Sequence, residues 1–139
     1  MKKTDVLVIG GSAAGMVVTL TGKSAYPDKK FTMIKKQKDV MVPCGIPYIF
    51  GTLEDSRQNI MPVDMLMEKS GVESLVGEVV SVDTKVKNVK LINGEAIGYD
   101  KLVLATGSLP VMPSWLKGGE KENVFTIPKD KVYLDEMKQ

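Results

Sequence analysis

The apolar run DVLVI, Asp5 to Ile9, stops at Gly10-Gly11-Ser12 and resumes as the alanine-rich stretch AAGMVVTL. No other stretch of the chain restricts the fold as much. A continuous apolar run lacks the alternation of a half-exposed strand, so it reads as a strand buried on both faces. The glycines permit a tight turn, Ser12 stands at an N-cap position, and the following stretch has helical composition. Gly22 weakens that helix, which is expected to end before Tyr26-Pro27-Asp28, and Phe31 to Ile34 (FTMI) supplies a second strand. Strand, helix and strand within ~30 residues form a βαβ unit with parallel strands and a right-handed crossover.

The rest of the chain is read against that start. Pro62 opens a short helix, MPVDMLMEKSG, whose Met61, Met65 and Leu66 share one face that is expected to be core, with Gly71 as its left-handed cap. From Val72 onward the period changes. GEVVSVD, KNVKLI and EAIGYD read as a three-stranded antiparallel β-meander over residues 72–99, with Asn93-Gly94 as a hairpin signal, followed by a second fully apolar strand, KLVLATG, at 101–107. The closing DKVYLDEMKQ reads as an amphipathic helix with Val132, Tyr133 and Met137 near one side and no stop signal, so the chain is expected to run on. The expected fold class is α/β, a Rossmann-like parallel sheet with an inserted antiparallel meander, in a single partial domain over residues 1–139.

Composition narrows the chemistry. Histidine is absent and cysteine occurs once, which excludes intrachain disulfides, an ordinary His/Cys zinc site, and Ser-His-Asp or Cys-His catalysis within the chain. A net charge of +2 gives no electrostatic case for nucleic acid, and no apolar run approaches the ~20 residues of a membrane span. With no signal-peptide layout, the expected location is cytoplasmic, away from membranes. The lysine cluster Lys29, Lys30, Lys35, Lys36 and Lys38 reads first as a solvated loop rim.

Gly10-x-Ser12-x-x-Gly15 is the dinucleotide fingerprint G-x-G-x-x-G with serine at the middle position. The first glycine allows the turn, the middle position lets backbone approach a pyrophosphate, and Gly15 allows close helix–strand packing. The helix start adds free N–H groups for the phosphates. The fingerprint also expects an acidic residue ~20 positions on to hold a ribose hydroxyl. Lys35 and Lys36 stand there instead. Either they suit a 2′-phosphate, which makes an NADP-binding module a rival reading, or they point outward and the ribose is held otherwise.

Cys44 lies in VMVPCGIPYIFG, Val40 to Gly51, between Pro43 and Gly45. One reading is a small buried hydrophobe; the other is a thiol placed to react. CGIPYIFG reads as a helix over 43–52, with Gly45 bending the chain closely past a ligand and Pro47 tolerated in the first turn. A thiolate is the reactive form and is favoured at a helix start or near positive charge.

GGSAAG, VPCGIPY and YDKLVLATG, in that order, resemble the N-terminal FAD-binding portion of the pyridine nucleotide-disulfide oxidoreductases, in the single-cysteine branch of coenzyme A-disulfide reductases and NADH oxidases. The resemblance implies FAD held by Gly10, Gly11, Ser12, Ala14, Gly15, Thr106 and Gly107, with Glu78 and Val79 against the adenine through backbone atoms and Pro43 beside the flavin-facing thiol. It implies that Cys44 takes electrons originating from NAD(P)H and passes them to a disulfide, polysulfide or oxygen. Cysteines five residues apart mark the dithiol branch, whereas here Asp39 and Ile49 occupy those positions. Members of the family also carry an NAD(P)H domain, a segment completing the flavin site and a dimerisation domain, and the full-length form is expected to be a homodimer. None of these is recognisable in the sequence, so an inactive truncated or interaction fragment stands as a further alternative.

Overall fold

The structure is a computed structural model that describes residues 1–138; Gln139, the last residue of the expected terminal helix, lies outside the described residues. In chain order the elements are β1 (Lys2–Ile9), α1 (Ala13–Ala25), β2 (Phe31–Lys35), α2 (Ile46–Gly51), α3 (Val63–Lys69), β3 (Glu73–Val76), β4 (Val79–Asp83), β5 (Asn88–Leu91), β6 (Ala96–Leu104) and α4 (Lys131–Lys138). The chain divides into two units, one of residues 1–40 and 61–107, the other of residues 41–60 and 108 onward.

The first unit is built on one six-stranded sheet in the order β3-β2-β1-β6-β5-β4. β1 pairs in parallel with both β2 and β6, placing Val8 opposite Met33 on one side and Val103 on the other. Strand alternation sorts the core into two layers. Val8, Phe31 and Met33 face α1 and α3, where they meet Met16, Leu20, Val63 and Met67. Leu7, Ile9 and Ile34 face the other way and pack against Val89, Leu91, Ile97 and Tyr99, so the β4–β5 arm curls back over that face. The fingerprint turn thus sits at the carboxyl end of a strand whose last three residues, Leu7 to Ile9, are buried, where parallel α/β sheets bind ligands.

Three expectations are corrected. The antiparallel arm is present, but its third strand does not end at residue 99: EAIGYD and KLVL are one nine-residue strand, β6. The physical reason is β1, which offers β6 parallel partners from Lys2↔Ile97 through Ile9↔Leu104 and so carries it across Asp100-Lys101. A further strand was missed: β3 adds to the sheet edge in parallel with β2, and its four residues are too few to show a period. In α3 the fully buried pair is Val63 and Met67; Met61 and Leu66 pack partly buried against the same core as expected, whereas Met65 is 46% exposed. The helix begins at Val63, so the inward stripe follows the i, i+4 spacing from that residue. Gly71 does take the expected left-handed conformation, at φ 65°, and so does Gly94, at φ 87°.

Among the described residues the second unit has no sheet. A 3-10 turn (Pro43–Gly45) leads into α2, a second 3-10 turn spans Ser56–Asn59, and α4 closes the unit. Met41, Ile46, Ile49 and Leu134 form its core, joined by Leu53, Ile60 and Tyr133. α4 is amphipathic as expected, but it is anchored by Leu134, while Val132 is 67% exposed. Among the described residues no helix is long and apolar enough to cross a membrane.

Candidate functional site

The glycine turn is shaped by close approach of backbone to backbone. Gly10 has φ 115°, and a Cβ on it would lie 2.1 Å from the Ala105 carbonyl oxygen. A Cβ on Gly15 would lie 1.8 Å from the carbonyl oxygen of Gly10. Neither contact can be relieved by a side-chain rotation, so both positions require glycine. The turn is held from both sides: the Gly10 N–H donates to the Ile34 carbonyl and the Ala105 N–H donates to the Ile9 carbonyl, each at 2.8 Å.

Ser12 is the N-cap of α1 in extended conformation, and its carbonyl accepts the Met16 N–H at 2.9 Å, but its hydroxyl makes no capping hydrogen bond. The N–H groups of Ala13, Ala14 and Gly15 precede the first intrahelical acceptor and are available to a ligand. No acidic residue stands in this first turn. Ala14 is exposed on α1, and Thr106 and Gly107 are exposed beyond the end of β6, with Gly107 at φ 72°.

The lysines at the end of β2 separate. Lys35 is 2% exposed; its ammonium donates to Asp64 Oδ2 at 2.8 Å and to the Lys38 carbonyl at 2.6 Å. Its stem lies against Gly11, where a Cβ would come within 2.7 Å of the Lys35 Cβ. This corrects the expectation of a lysine free for a 2′-phosphate: the ammonium is already held by Asp64 and the Lys38 carbonyl. Lys36 is exposed and pairs with Glu78 at 2.9 Å. Two residues expected near the adenosine thus come together. The Glu78 carbonyl accepts the Ile92 N–H at 2.9 Å, and Val79 packs partly buried on the sheet core beside Leu91.

Asp64 and Ser74, which the sequence does not single out, complete the Lys35 cluster. The Ser74 hydroxyl donates to Asp64 Oδ1 at 2.8 Å. The Lys35 ammonium first, then the Ser74 hydroxyl, hold the Asp64 carboxyl below its ordinary value. The only sequence trace of this role is an acidic residue in the first turn of α3, which reads equally well as a helix-dipole partner.

In the second unit Cys44 is a free, exposed thiol in the Pro43–Gly45 turn. The close approach at Gly45 is made by protein rather than by a ligand: a Cβ there would lie 1.9 Å from the Asn59 side-chain oxygen. Asn59 is buried and donates through Nδ2 to the Val42 carbonyl at 3.1 Å, while the Val42 N–H donates to the Asn59 carbonyl at 2.9 Å. One buried amide therefore fixes the turn that presents the thiol. Beside it a cavity of about 390 Å³ is lined by Pro43, Ile46, Pro47, Leu109, Pro110 and Lys129, among others. Pro43 borders this cavity directly.

Residues 4–138 match the family described as pyridine nucleotide-disulphide oxidoreductase. The chain belongs to this family. An NAD(P)H sulfur oxidoreductase (CoA-dependent) of Pyrococcus abyssi is 33% identical over 142 residues, covering 98% of this chain and 31% of the relative. An NADH oxidase of Methanocaldococcus jannaschii is 30% identical over 129 residues, covering 87% of this chain and 29% of the relative. Among solved structures, an NAD-dependent persulfide reductase from A. fulgidus superposes with a TM-score of 0.79 at 26% identity, covering 96% of this chain and 27% of that one. The chain thus spans about a third of the length of the curated relatives it matches.

Proposed function

We propose that these residues are the FAD-binding segment of a flavin-dependent NAD(P)H oxidoreductase that passes electrons through Cys44 to a disulfide, a polysulfide or persulfide, or oxygen. The observation that carries the reading is the glycine turn: Gly10 and Gly15 leave no room for a Cβ, so β1, the start of α1 and the end of β6 pack closely there, with the first N–H groups of α1 free for a pyrophosphate. The fit to FAD is therefore good on the protein side. Gly10, Gly11, Ser12 and Ala14 would hold the pyrophosphate, with Thr106 and Gly107 at the neighbouring strand end and Glu78 and Val79 toward the adenine. When bound, FAD supplies the relay between a two-electron hydride donor and a thiol.

The roles of the chain's own residues follow from their surroundings. The first turn of α1 offers N–H donors and no competing carboxylate, which orients an anion. Cys44 is the chain's single thiol and is exposed, so a disulfide or polysulfide sulfur can reach its Sγ. With no second cysteine in the chain, reduction of an external disulfide passes through a mixed disulfide on Cys44, released by two further electrons. Pro43 and Pro47 form part of the wall of the cavity beside that turn. Relatives named as acting on sulfur and as an NADH oxidase favour this range of acceptors for the whole enzyme.

The test is reconstitution of the chain with FAD followed by desalting. A yellow protein with one flavin per chain, lost in Gly15→Val, supports the reading. A preparation that stays colourless at saturating FAD overturns it.

A further inference from the structure

We infer that Asp64, held in place by Lys35 and Ser74, accepts a hydrogen bond from the adenosine 2′-hydroxyl at the glycine turn, so that the site selects a free 2′-hydroxyl over a 2′-phosphate. The inference rests on the dinucleotide reading of that turn. In this fold a ribose attached to a pyrophosphate on the helix start falls at the end of the second strand, where a carboxylate normally receives it. This chain has a lysine there, and the lysine reaches a carboxylate from another element.

The geometry follows the strand alternation. Phe31, Met33 and Lys35 share the face of β2 that carries α1 and α3. The Lys35 stem touches Gly11 of the turn, and its ammonium ends on Asp64 at 2.8 Å. Asp64 therefore lies one lysine length from the glycine turn, on the helix side of the sheet. Its side chain is 56% exposed, and although one oxygen receives Lys35 and the other Ser74, each carboxylate oxygen accepts more than one hydrogen bond. Lys35 and Ser74 together orient the carboxylate and favour its ionised form. The nearest alternative, Glu78, pairs with Lys36, the next residue along and so on the opposite side of the strand line. A 2′-phosphate brought to this place meets a fixed negative charge, and the Lys35 ammonium beside it is already engaged by Asp64 and the Lys38 carbonyl.

The test measures binding of ADP, 2′-deoxy-ADP and adenosine 2′,5′-bisphosphate to the chain by calorimetry. ADP is expected to bind about tenfold more tightly than 2′-deoxy-ADP, as for a hydrogen bond to a charged acceptor, and more tightly still than the bisphosphate. Asp64→Asn should weaken ADP while leaving 2′-deoxy-ADP within about twofold, and should narrow the gap to the bisphosphate. A purely structural role would weaken all three ligands by the same factor and overturns the inference. Glu78→Gln is the control; if it erases the 2′ preference and Asp64→Asn does not, the acceptor is Glu78 and the inference fails. Where Asp64→Asn does not fold, Asp64→Glu keeps the charge that Lys35 needs while displacing the acceptor, and an unchanged 2′ preference in that variant overturns the inference. Binding of ADP with no 2′ preference defeats this inference alone. Failure to bind any of the three ligands defeats the dinucleotide reading as well.

Discussion

The glycine turn and the cysteine turn solve the same local problem, a sharp bend that exposes a reactive surface, by different means. At the glycine turn the constraints are backbone atoms. The Gly10 and Ala105 carbonyls crowd the positions, and the parallel pairing of β1 with β2 and β6 fixes those carbonyls. At the cysteine turn the constraint is one side chain, the Asn59 amide, against short helical pieces and a core of four buried residues. A parallel sheet has little freedom to relax, whereas an amide can rotate. On the proposed function, binding of a cofactor's phosphates would rest on the rigid region, and presentation of a thiol on the more adaptable one.

The largest expected effect tests the rigid side. Gly15→Val should abolish FAD retention and lower stability by at least about 1–3 kcal/mol, since its Cβ has no space that does not displace backbone. Urea unfolding with flavin absorbance measures both, and a variant that keeps its flavin would break the contrast. Gly45→Ala comes next, costing about 1–2 kcal/mol, because Asn59 can turn aside at the loss of its bond to the Val42 carbonyl. If Gly45→Ala proves as damaging as Gly15→Val, the cysteine turn is the more rigid of the two.

A smaller effect concerns acid. Asp64 in the first unit is held low by Lys35 and Ser74, and Asp135 in the second by Lys131 and Ser56. Both folded-state values lie below the ordinary 3.8, so their contributions are complete above that value and are lost as pH falls through the lower folded value. Asp64→Asn and Asp135→Asn should each flatten the fall in stability below about pH 4 while costing little of the slope at neutral pH. Urea midpoints across pH 2–5 give the comparison. The smallest effect on stability belongs to Cys44→Ser, within about 0.5 kcal/mol for an exposed side chain away from the core. The same variant should lose all reaction with a thiol reagent, where the native chain consumes one equivalent at the rate of an open thiol. Slow native labelling would show Cys44 to be shielded.

Much of the fold was legible because it is local. The strand–turn–helix–strand start, the left-handed Gly71 and Gly94 and the hairpin arm follow from residue types within a few positions of one another. The inward stripe of α3 was legible at Met61 and Leu66 but misplaced at Met65 instead of Val63 and Met67, because Pro62 leaves the starting residue ambiguous. β3 and the union of two expected strands into β6 were missed because each depends on a hydrogen-bonding partner far away in sequence. The candidate site divides the same way. Gly10, Gly15 and Cys44 stand out by type and spacing, whereas Asp64, Ser74 and Asn59 are ordinary polar residues until the chain is folded.

By itself the sequence determined that there would be a glycine turn after a buried strand and a single thiol, because steric freedom at glycine and the count of cysteines are properties of residues. Only the tertiary structure decided what Lys35 does. Its position in the chain suggests a free cation at a phosphate; its place between Gly11 and Asp64 makes it a buried, paired one. The reason is electrostatic: a charge taken out of water must find its partner among whatever groups the fold brings to it, and no local pattern records which group that is.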